Sequence, residues 1–428
     1  MKNTQSTGLS TGLYWFRHDL RLDDQPALAR LAACTDRVIL VYCIDPHWFI
    51  PDAFGCSRMG IHRQQFIYES LIDLNRQLEG YHQNLLVVVG EPVSQLMTLI
   101  QQYDVTVLGF GEHPGFEERD QIDKIKQHIP DLTTISAHNN SLFEPEVLPF
   151  SISEMPDKFS PFRKKIEKHL NPLKSIARPV AIPPPPAELI QTDWQGLPLH
   201  HGSASSFNGG ETAGRKQLHH YFFESQGIAD YKSTRNGLEG WHYSSKFSAW
   251  LASGCLSVKY VVSELHKFEK QVTANESTYW LYFELLWREF FWWLQRKHGR
   301  DWFTYGGLQH SSTAAPKAGD ALHNWQNGTT ANAHINACMR QLNATGYMSN
   351  RGRQWVASYL INELRQDWRY GAAYFEQQLI DYDVGANWGN WQYLAGVGSD
   401  PRGLRQFNIA RQAAMYDPQD SFRKLWAG

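Results

Sequence analysis

The apolar residues of this chain change their spacing once, and that change divides what the chain can fold into. Up to about residue 138, short β-branched and apolar runs at 13–17 (LYWFR), 37–44 (RVILVYCI), 85–89 (LLVVV) and 105–110 (VTVLGF) alternate with longer segments, such as 64–78, whose apolar residues recur at helical spacing. Runs of this kind separated by helical segments suit βαβ units around a parallel sheet, so the first part is expected to be an open α/β domain. In such sheets ligands sit beyond the carboxyl ends of the strands, which places the loops at 17–24 and 109–120 near any site. From Glu211 helical spacing continues to the end without strand-like alternation, which predicts an all-α domain. Between the two lies 178–188, with Pro183 to Pro186 consecutive; fixed φ and missing N–H groups keep it extended. A chain of 428 residues also exceeds what one core usually organises. The expected division is therefore 1–140 α/β, 141–210 connector and 211–428 all-helical.

Composition excludes several classes. Hydrophobic content of 42%, charged content of 20% and the lack of a long apolar run argue for a soluble globular protein without a membrane span. Residues 1–11 are polar and carry neither an apolar signal segment nor an arginine-rich transit pattern, so a cytoplasmic address is expected. The five cysteines (Cys34, Cys43, Cys56, Cys255, Cys338) are odd in number, scattered and never in a C-x-x-C pair; inert core thiols are expected, with no disulfide framework and no metal site. A net charge of −2 gives no global attraction to nucleic acid, so any DNA contact must use a local basic face. Gly109-Phe110-Gly111 is not followed by the rest of a G-x-G-x-x-G loop, which makes a nicotinamide-dependent redox enzyme a weak reading. The 16 Trp, 19 Tyr and 22 Phe, with Trp concentrated after residue 240, on composition alone favour a helical core built from large side chains.

Four segments could carry chemistry. In 381–393, two acids, two asparagines, two tryptophans and a tyrosine make a poor ordinary helix, because Asp and Asn compete for backbone hydrogen bonds. Such a break in local rules marks either a site or a loop whose side chains cap neighbouring helices. In 347–355, Arg351 and Arg353 supply cations that would keep Asp381 and Asp383 ionised. In 243–257, Ser244, Ser245, Lys246 and Ser248 stand at what reads as a helix start, suited to phosphate or simply a capped helix. On a helix through 282–293, Glu284 and Trp287 share a face with Arg288 adjacent, giving an acid, a stacking surface and a cation; Trp292 and Trp293 read as buried core.

Taken together, Trp15-Phe16-Arg17-His18-Asp19-Leu20-Arg21, Ser245-Lys246-Phe247-Ser248, Glu284-Leu285-Leu286-Trp287-Arg288, Met348-Ser349-Asn350-Arg351-Gly352-Arg353-Gln354 and Asn387-Trp388-Gly389-Asn390-Trp391 occur in the order found in photolyases and cryptochromes. The last two, extended to Tyr393, resemble the DASH cryptochromes in particular, and the resemblance spans essentially the whole chain. It implies a photolyase-like N-terminal α/β domain with a parallel sheet, and a C-terminal all-α domain binding a U-shaped FAD. It also implies an antenna chromophore in the first domain, a folate such as methenyltetrahydrofolate.

Carried over motif by motif, Tyr231 and Ser244, Ser245, Lys246, Phe247 and Ser248 would hold the FAD phosphates, with Arg288 nearby. Asp381, paired to Arg353, and Asp383 would face the flavin; Asn387 would sit opposite flavin N5, where an amide imposes no charge. Trp391 and Trp368 would begin an electron relay, because indole is easily oxidised. Glu284 and Asn350 would bond damaged bases, with Trp287 and Tyr393 as pocket walls, and the polar Gln354 and Tyr393 imply a preference for single-stranded DNA. Glu117 and Glu118 fall where antenna contacts are expected. The implied activity is blue-light-driven repair of cyclobutane pyrimidine dimers by a monomer; the alternative is a photoreceptor that binds nucleic acid without repairing it. Ending at Gly428, the sequence carries no long disordered tail of the kind that signalling cryptochromes often have, which weighs against that alternative. Two departures stand out. Ala315, within 311–317, occupies the outermost relay position, leaving Tyr305 or Trp325 as substitutes, and 329–336 lacks the usual Gly, Pro and Asp.

Overall fold

A computed structural model describes residues 9–172, 174–202, 206–310, 315–316, 318–400 and 402–427; the rest of the 311–317 run around Ala315 and Pro316 lies outside these. Five strands, β1 (Thr11–Phe16), β2 (Arg37–Ile44), β3 (Leu85–Val89), β4 (Val105–Gly111) and β5 (Thr133–Ala137), form one parallel sheet in the order β3-β2-β1-β4-β5. Side chains alternate across it. Leu13, Trp15, Ile39 and Val41 enter a core closed by the helices Pro92–Gln102 and Phe116–His128, whereas Tyr14, Phe16, Leu40 and Tyr42 belong to a second core continuous with the C-terminal helices. β5 has no counterpart among the runs read from the sequence: TTISA is short and polar, and most of it is only partly buried at the sheet edge.

The connector is ordered where it meets the rest. Val38 N–H donates to Pro184 O at 3.1 Å, and Thr192 Oγ1 both accepts from Val87 N–H and donates to Leu85 O at 2.8 Å, so this segment satisfies the free edge of β3. It also contains the helix Phe159–His169, whose Phe159, Phe162 and Ile166 are buried. After Ala137 the described residues contain no strand, and helices run from Glu211–His219 to Ser421–Leu425. No helix of the described residues is long and apolar enough to cross a membrane. All five cysteines are free thiols, four of them buried.

The switch of strand order falls between β1 and β4, and the loops after these strands do lie together. They are used to dock the helices rather than to leave a ligand crevice, since the cavity there, lined by Arg17, His18, Asp19, Gly111, Glu112, His113, Asn139 and Asn140, measures about 10 Å³. That is room for about one water. Arg21, 1% exposed, places all five guanidinium donors: Asp23 O at 2.9 Å, Asn140 Oδ1 at 2.9 Å, Gly254 O at 2.8 Å, Asp24 O at 3.0 Å and Asn139 O at 2.7 Å. Gly254 has φ +70°, and a Cβ there would stand 1.8 Å from His18 O, so only glycine lets the helical segment come this close. Glu211, at the first turn of its helix, accepts the N–H groups of Leu22 at 2.9 Å and Asp23 at 3.2 Å. Replacing Arg21 by Met strands five buried acceptors, and urea unfolding is expected to show a loss of about 3–5 kcal/mol; a loss below about 1 kcal/mol would contradict this account of the junction.

Candidate functional site

From Val384 onward the segment 381–393 is helical after all. Val384–Ala395 is capped by Asp383, whose carboxylate accepts Ala386 N–H at 2.9 Å, and it packs on the long helix Glu276–His298 through two glycines one turn apart. A Cβ at Gly385 would meet Gln295 Nε2 at 2.7 Å, and one at Gly389 would meet the Phe291 ring at 2.4 Å. The residues that weaken the helix locally are therefore those that let two helices touch, and the asparagines are left for the other side.

That side opens on a cavity of about 110 Å³ lined by Asn350, Arg353, Gln354, Ala357, Phe375, Leu379, Asp381, Tyr382, Asp383, Ala386, Asn387, Asn390, Trp391 and Leu394. It lies among the helices Asn350–Ser358, Trp368–Gln378 and Val384–Ala395, and it has room for several waters on a scale where one needs about 10–15 Å³. Exposed Asn350 and Asn390 mark its rim, and buried Phe375, Asn387 and Trp391 its floor. Arg353 Nη2 holds both oxygens of Asp381, at 3.0 and 2.8 Å, while its Nε donates to Met348 O at 2.9 Å. Asn387 Nδ2 donates to Ala372 O at 3.0 Å, which fixes the amide on the floor. Trp391, 2% exposed, stands edge-on to Phe375 at 5.1 Å and Trp325 at 6.2 Å, and only a glycine fits at 371, where a Cβ would lie 2.2 Å from the indole.

The serine and lysine segment adjoins this cavity through Tyr347. Lys246, 4% exposed and with φ 61°, holds its ammonium 3.5 Å from the centre of the Tyr243 ring and 4.6 Å from that of Tyr347. Arg353 Cζ lies 5.6 Å from the other partner in this stack, the Tyr347 ring. Among the described residues no carboxylate pairs with Lys246, and burial pushes its ammonium down to about 7. A buried cation between two aromatic faces, beside Ser244, Ser245 and Ser248, is a donor set for an anion, and the cavity next to it offers an amide, an ion pair and flat aromatic walls for a heterocycle. The residues present fit a flavin dinucleotide: the anion set suits its pyrophosphate and the cavity its ring. Arg288 stands between the two parts, 3.9 Å from Asp383 and bonded to Asn140 O at 2.6 Å. Tyr231 is buried, and its phenol is pushed up by burial and by Glu284.

The remaining sequence-read residues lie outside the cavity lining. Glu284 is held by Arg235, and it accepts Trp280 Nε1–H at 3.1 Å; burial raises its carboxyl above the ordinary range against the pull of Arg235. Next to Arg235 in sequence, Asn236 Oδ1 accepts from Arg351 at 2.6 Å, and Arg351 also donates to Gln354 Oε1 at the rim at 2.8 Å. Trp287 meets Tyr393 edge-on at 5.8 Å, but its face is covered by Phe159, stacked at 3.8 Å and 11°. Tyr393 O–H accepts from Arg405 Nη2 at 2.5 Å. Trp292 and Trp293 are buried core. Trp368 donates to Tyr305 O at 3.0 Å and meets Trp388 edge-on at 5.7 Å, so each of the two tryptophans expected in a relay has an indole neighbour: Trp388 for Trp368, Trp325 for Trp391. In the first domain Glu117 pairs with Arg58 at the surface, while Glu118 lies between His18 Nε2 at 3.3 Å and His113 Nδ1 at 3.5 Å, which hold its carboxyl well below the ordinary range against burial. Both acids are thus engaged within the protein, beside the 10 Å³ crevice.

Sequence reading missed Arg235 and Arg63. Arg63, on the helix Ile61–Glu79 of the first domain, reaches over the Tyr382 ring at 4.7 Å, and Tyr382 O–H donates to half-buried Glu376 at 2.8 Å. Nothing in the linear spacing signals a contact between segments so far apart. Tyr382 itself could have been found, since it stands between Asp381 and Asp383.

Comparison with known proteins agrees with this geometry. The family described as the FAD binding domain of DNA photolyase matches residues 280–427, and the family described as DNA photolyase matches residues 12–186. A cryptochrome DASH of Idiomarina loihiensis is 44% identical over 417 residues, covering 97% of this chain and 92% of that protein; one of Synechocystis is 39% identical, covering 97% and 87%. The crystal structure of a Synechocystis cryptochrome superimposes with a TM-score of 0.93 at 38% identity, covering 100% of this chain and 89% of that one. A class III photolyase of Agrobacterium tumefaciens, at 24% identity, shares the fold with a TM-score of 0.85 over 100% of this chain and 88% of its own. The chain belongs to the photolyase/cryptochrome family, with an FAD-binding domain formed by its C-terminal helices and cryptochrome DASH proteins as its relatives.

Proposed function

We propose that this protein is a light-driven lyase that splits cyclobutane pyrimidine dimers, preferring single-stranded DNA, with FAD held in the cavity between Arg353 and Trp391. The observation that carries the proposal is the gathering of polar groups between the cavity and an acid: Asn350 and Gln354 at the rim, Arg351 bonded to Gln354 and Asn236, and Glu284 held by Arg235, the residue before Asn236. Bound FAD supplies the excited-state electron transfer that opens the dimer. The protein's own groups do the rest. Lys246 and the serines neutralise the pyrophosphate, Arg288 adds charge near Asp383, the Arg353–Asp381 pair fixes the polar edge of the ring site, and Asn387 presents an amide there without adding charge. Trp391 and Trp368 serve as relay stations, and Trp388 and Trp325 extend the indole set in place of the tryptophan that Ala315 does not provide.

On the substrate side, Glu284 and Asn350 bond base edges while Trp287 and Tyr393 form the wall. A dimer is already poorly stacked, so extruding it costs less than extruding a normal base. Tyr393 and Gln354 are each tied to an arginine, Arg405 and Arg351, which makes the wall polar and offers little apolar surface to compensate for opening a duplex. That favours single strands. A folate antenna at Glu117 and Glu118 is part of this reading, these acids being paired with Arg58 and with His18 and His113 respectively.

The photoreceptor reading draws on the engagement of Glu284 by Arg235 and on Ala315 at the outer relay position. The two part in one assay. With the reduced protein under blue light, irradiated oligo(dT) is expected to lose dimers, and Glu284→Ala to slow that loss by about 10–100-fold, the worth of one charge-assisted hydrogen bond, with the flavin spectrum unchanged. No loss above a dark control removes the repair reading and leaves the photoreceptor.

Lys246 yields a second test with opposite signs. Its depressed ammonium makes it a burden on the cofactor-free fold at neutral pH and below, and an asset once an anion is present. Lys246→Met is expected to raise the stability of the FAD-free protein by roughly 1–4 kcal/mol, the gain seen when buried ionic groups become apolar, while weakening FAD binding at least tenfold in a fluorescence titration. A variant that loses stability without FAD, or keeps FAD affinity, would remove Lys246 from the phosphate site.

A further inference from the structure

A group of side chains able to ligate a metal lies away from the cofactor cavity and includes His334, from the segment 329–336 that departs from the family's sequence. His334, on the helix Ala333–Thr345, faces two acids of the turn that enters the helix Ser421–Leu425: its Nε2 is 3.6 Å from Asp417 Oδ2 and 3.3 Å from Asp420 Oδ1, and the three donor atoms lie within 4.8 Å of one another. Distance decides between an ion pair and a ligand set. An imidazolium bonded to a carboxylate closes to about 2.7–2.9 Å, as His298 does with Asp157 at 2.8 Å. His334 Nε2 closes on neither acid, and although withdrawn from solvent it has no hydrogen-bond partner among the described residues. Ligand atoms about 2.0–2.1 Å from a tetrahedral zinc ion stand about 3.3–3.4 Å apart, which is close to the spacing here.

The carboxylates are held from outside, as metal ligands are. Asp417 accepts the N–H groups of Phe422 and Arg423, both at 3.0 Å, and Asp420 Oδ2 accepts from Arg423 Nη2 at 2.9 Å. Each facing oxygen keeps a lone pair. Two acids against one guanidinium leave the cluster net negative.

The geometry points to a zinc-type divalent cation site formed by His334, Asp417 and Asp420, with the fourth position left to water, that clasps the C-terminal segment onto the helix Ala333–Thr345. The clasp adjoins the cavity rim. Tyr416, next to Asp417, lies 4.7 Å from the Arg351 guanidinium, and Gln412 accepts from Trp355 Nε1 at 2.5 Å. Three protein ligands and a free position suit a tightening device rather than a fully closed structural site.

The test uses the full-length flavin-loaded protein, stripped with chelator and titrated calorimetrically with zinc sulfate, with cobalt(II) chloride as the spectroscopic probe. One zinc ion per chain, a tetrahedral cobalt spectrum and a higher melting temperature with zinc are expected. His334→Phe and Asp420→Asn are each expected to weaken zinc at least tenfold, whereas Cys34→Ser, which removes the exposed thiol, leaves it unchanged. Asp420 is partly exposed and its replacement is tolerated by the fold, so this variant decides the matter if His334→Phe does not fold. Absence of binding, or binding of equal strength in Asp420→Asn, overturns the site.

Discussion

One buried guanidinium holds the two halves of this molecule to each other. Arg21 spends every donor it has on acceptors from three separate stretches, the loop after β1, Asn139 and Asn140, and Gly254 of the helical half. The planar fork leaves no freedom in where those stretches sit. Arg288 then takes its position from Asn140 and hands it on to Asp383, the cap of the helix that carries Asn387 and Trp391. The floor of the cofactor cavity is thus located by hydrogen bonds and one ion pair that begin at the sheet, even though no strand among the described residues lines the cavity.

Charge is distributed around the cavity in two different ways. Arg353 and Asp381 neutralise each other, so they shape the wall without demanding a ligand. Among the described residues Lys246 has no such partner, and it rests on two tyrosine faces, which attract a cation less strongly than a carboxylate does. The first arrangement is permanent scaffolding, and the second is completed by an anion. That division matches a cofactor with a charged middle and a largely neutral ring.

Much of this was legible before any coordinates. The β2 and β3 runs match their strands, since buried parallel strands write themselves as unbroken apolar sequence; β5 did not, because its edge position let Thr and Ser stand where a central strand needs Val or Ile. Of the site, the residues on the three cavity helices could be read as a set: Asn350, Arg353, Gln354, Asp381, Asp383, Asn387 and Trp391 share one wall. What the sequence could not disclose were partners brought by topology. Arg235 on Glu284, Arg63 over Tyr382 and Phe159 on Trp287 each come from a distant segment with no periodicity to announce them. The composition of 381–393 misled in a useful way: Asp383 caps the helix and the asparagines line its cavity side, while its two glycines fit the long helix beside it.

The stacking of Phe159 on Trp287 carries a consequence of its own. The ring that would flank a bound base has one side permanently occupied by a residue of the linker between the two halves, so the width of the entrance is a property of that linker and not of the catalytic helices alone. If the proposed function holds, changes in this stretch would retune which bases gain entry without altering the residues that line the cofactor cavity.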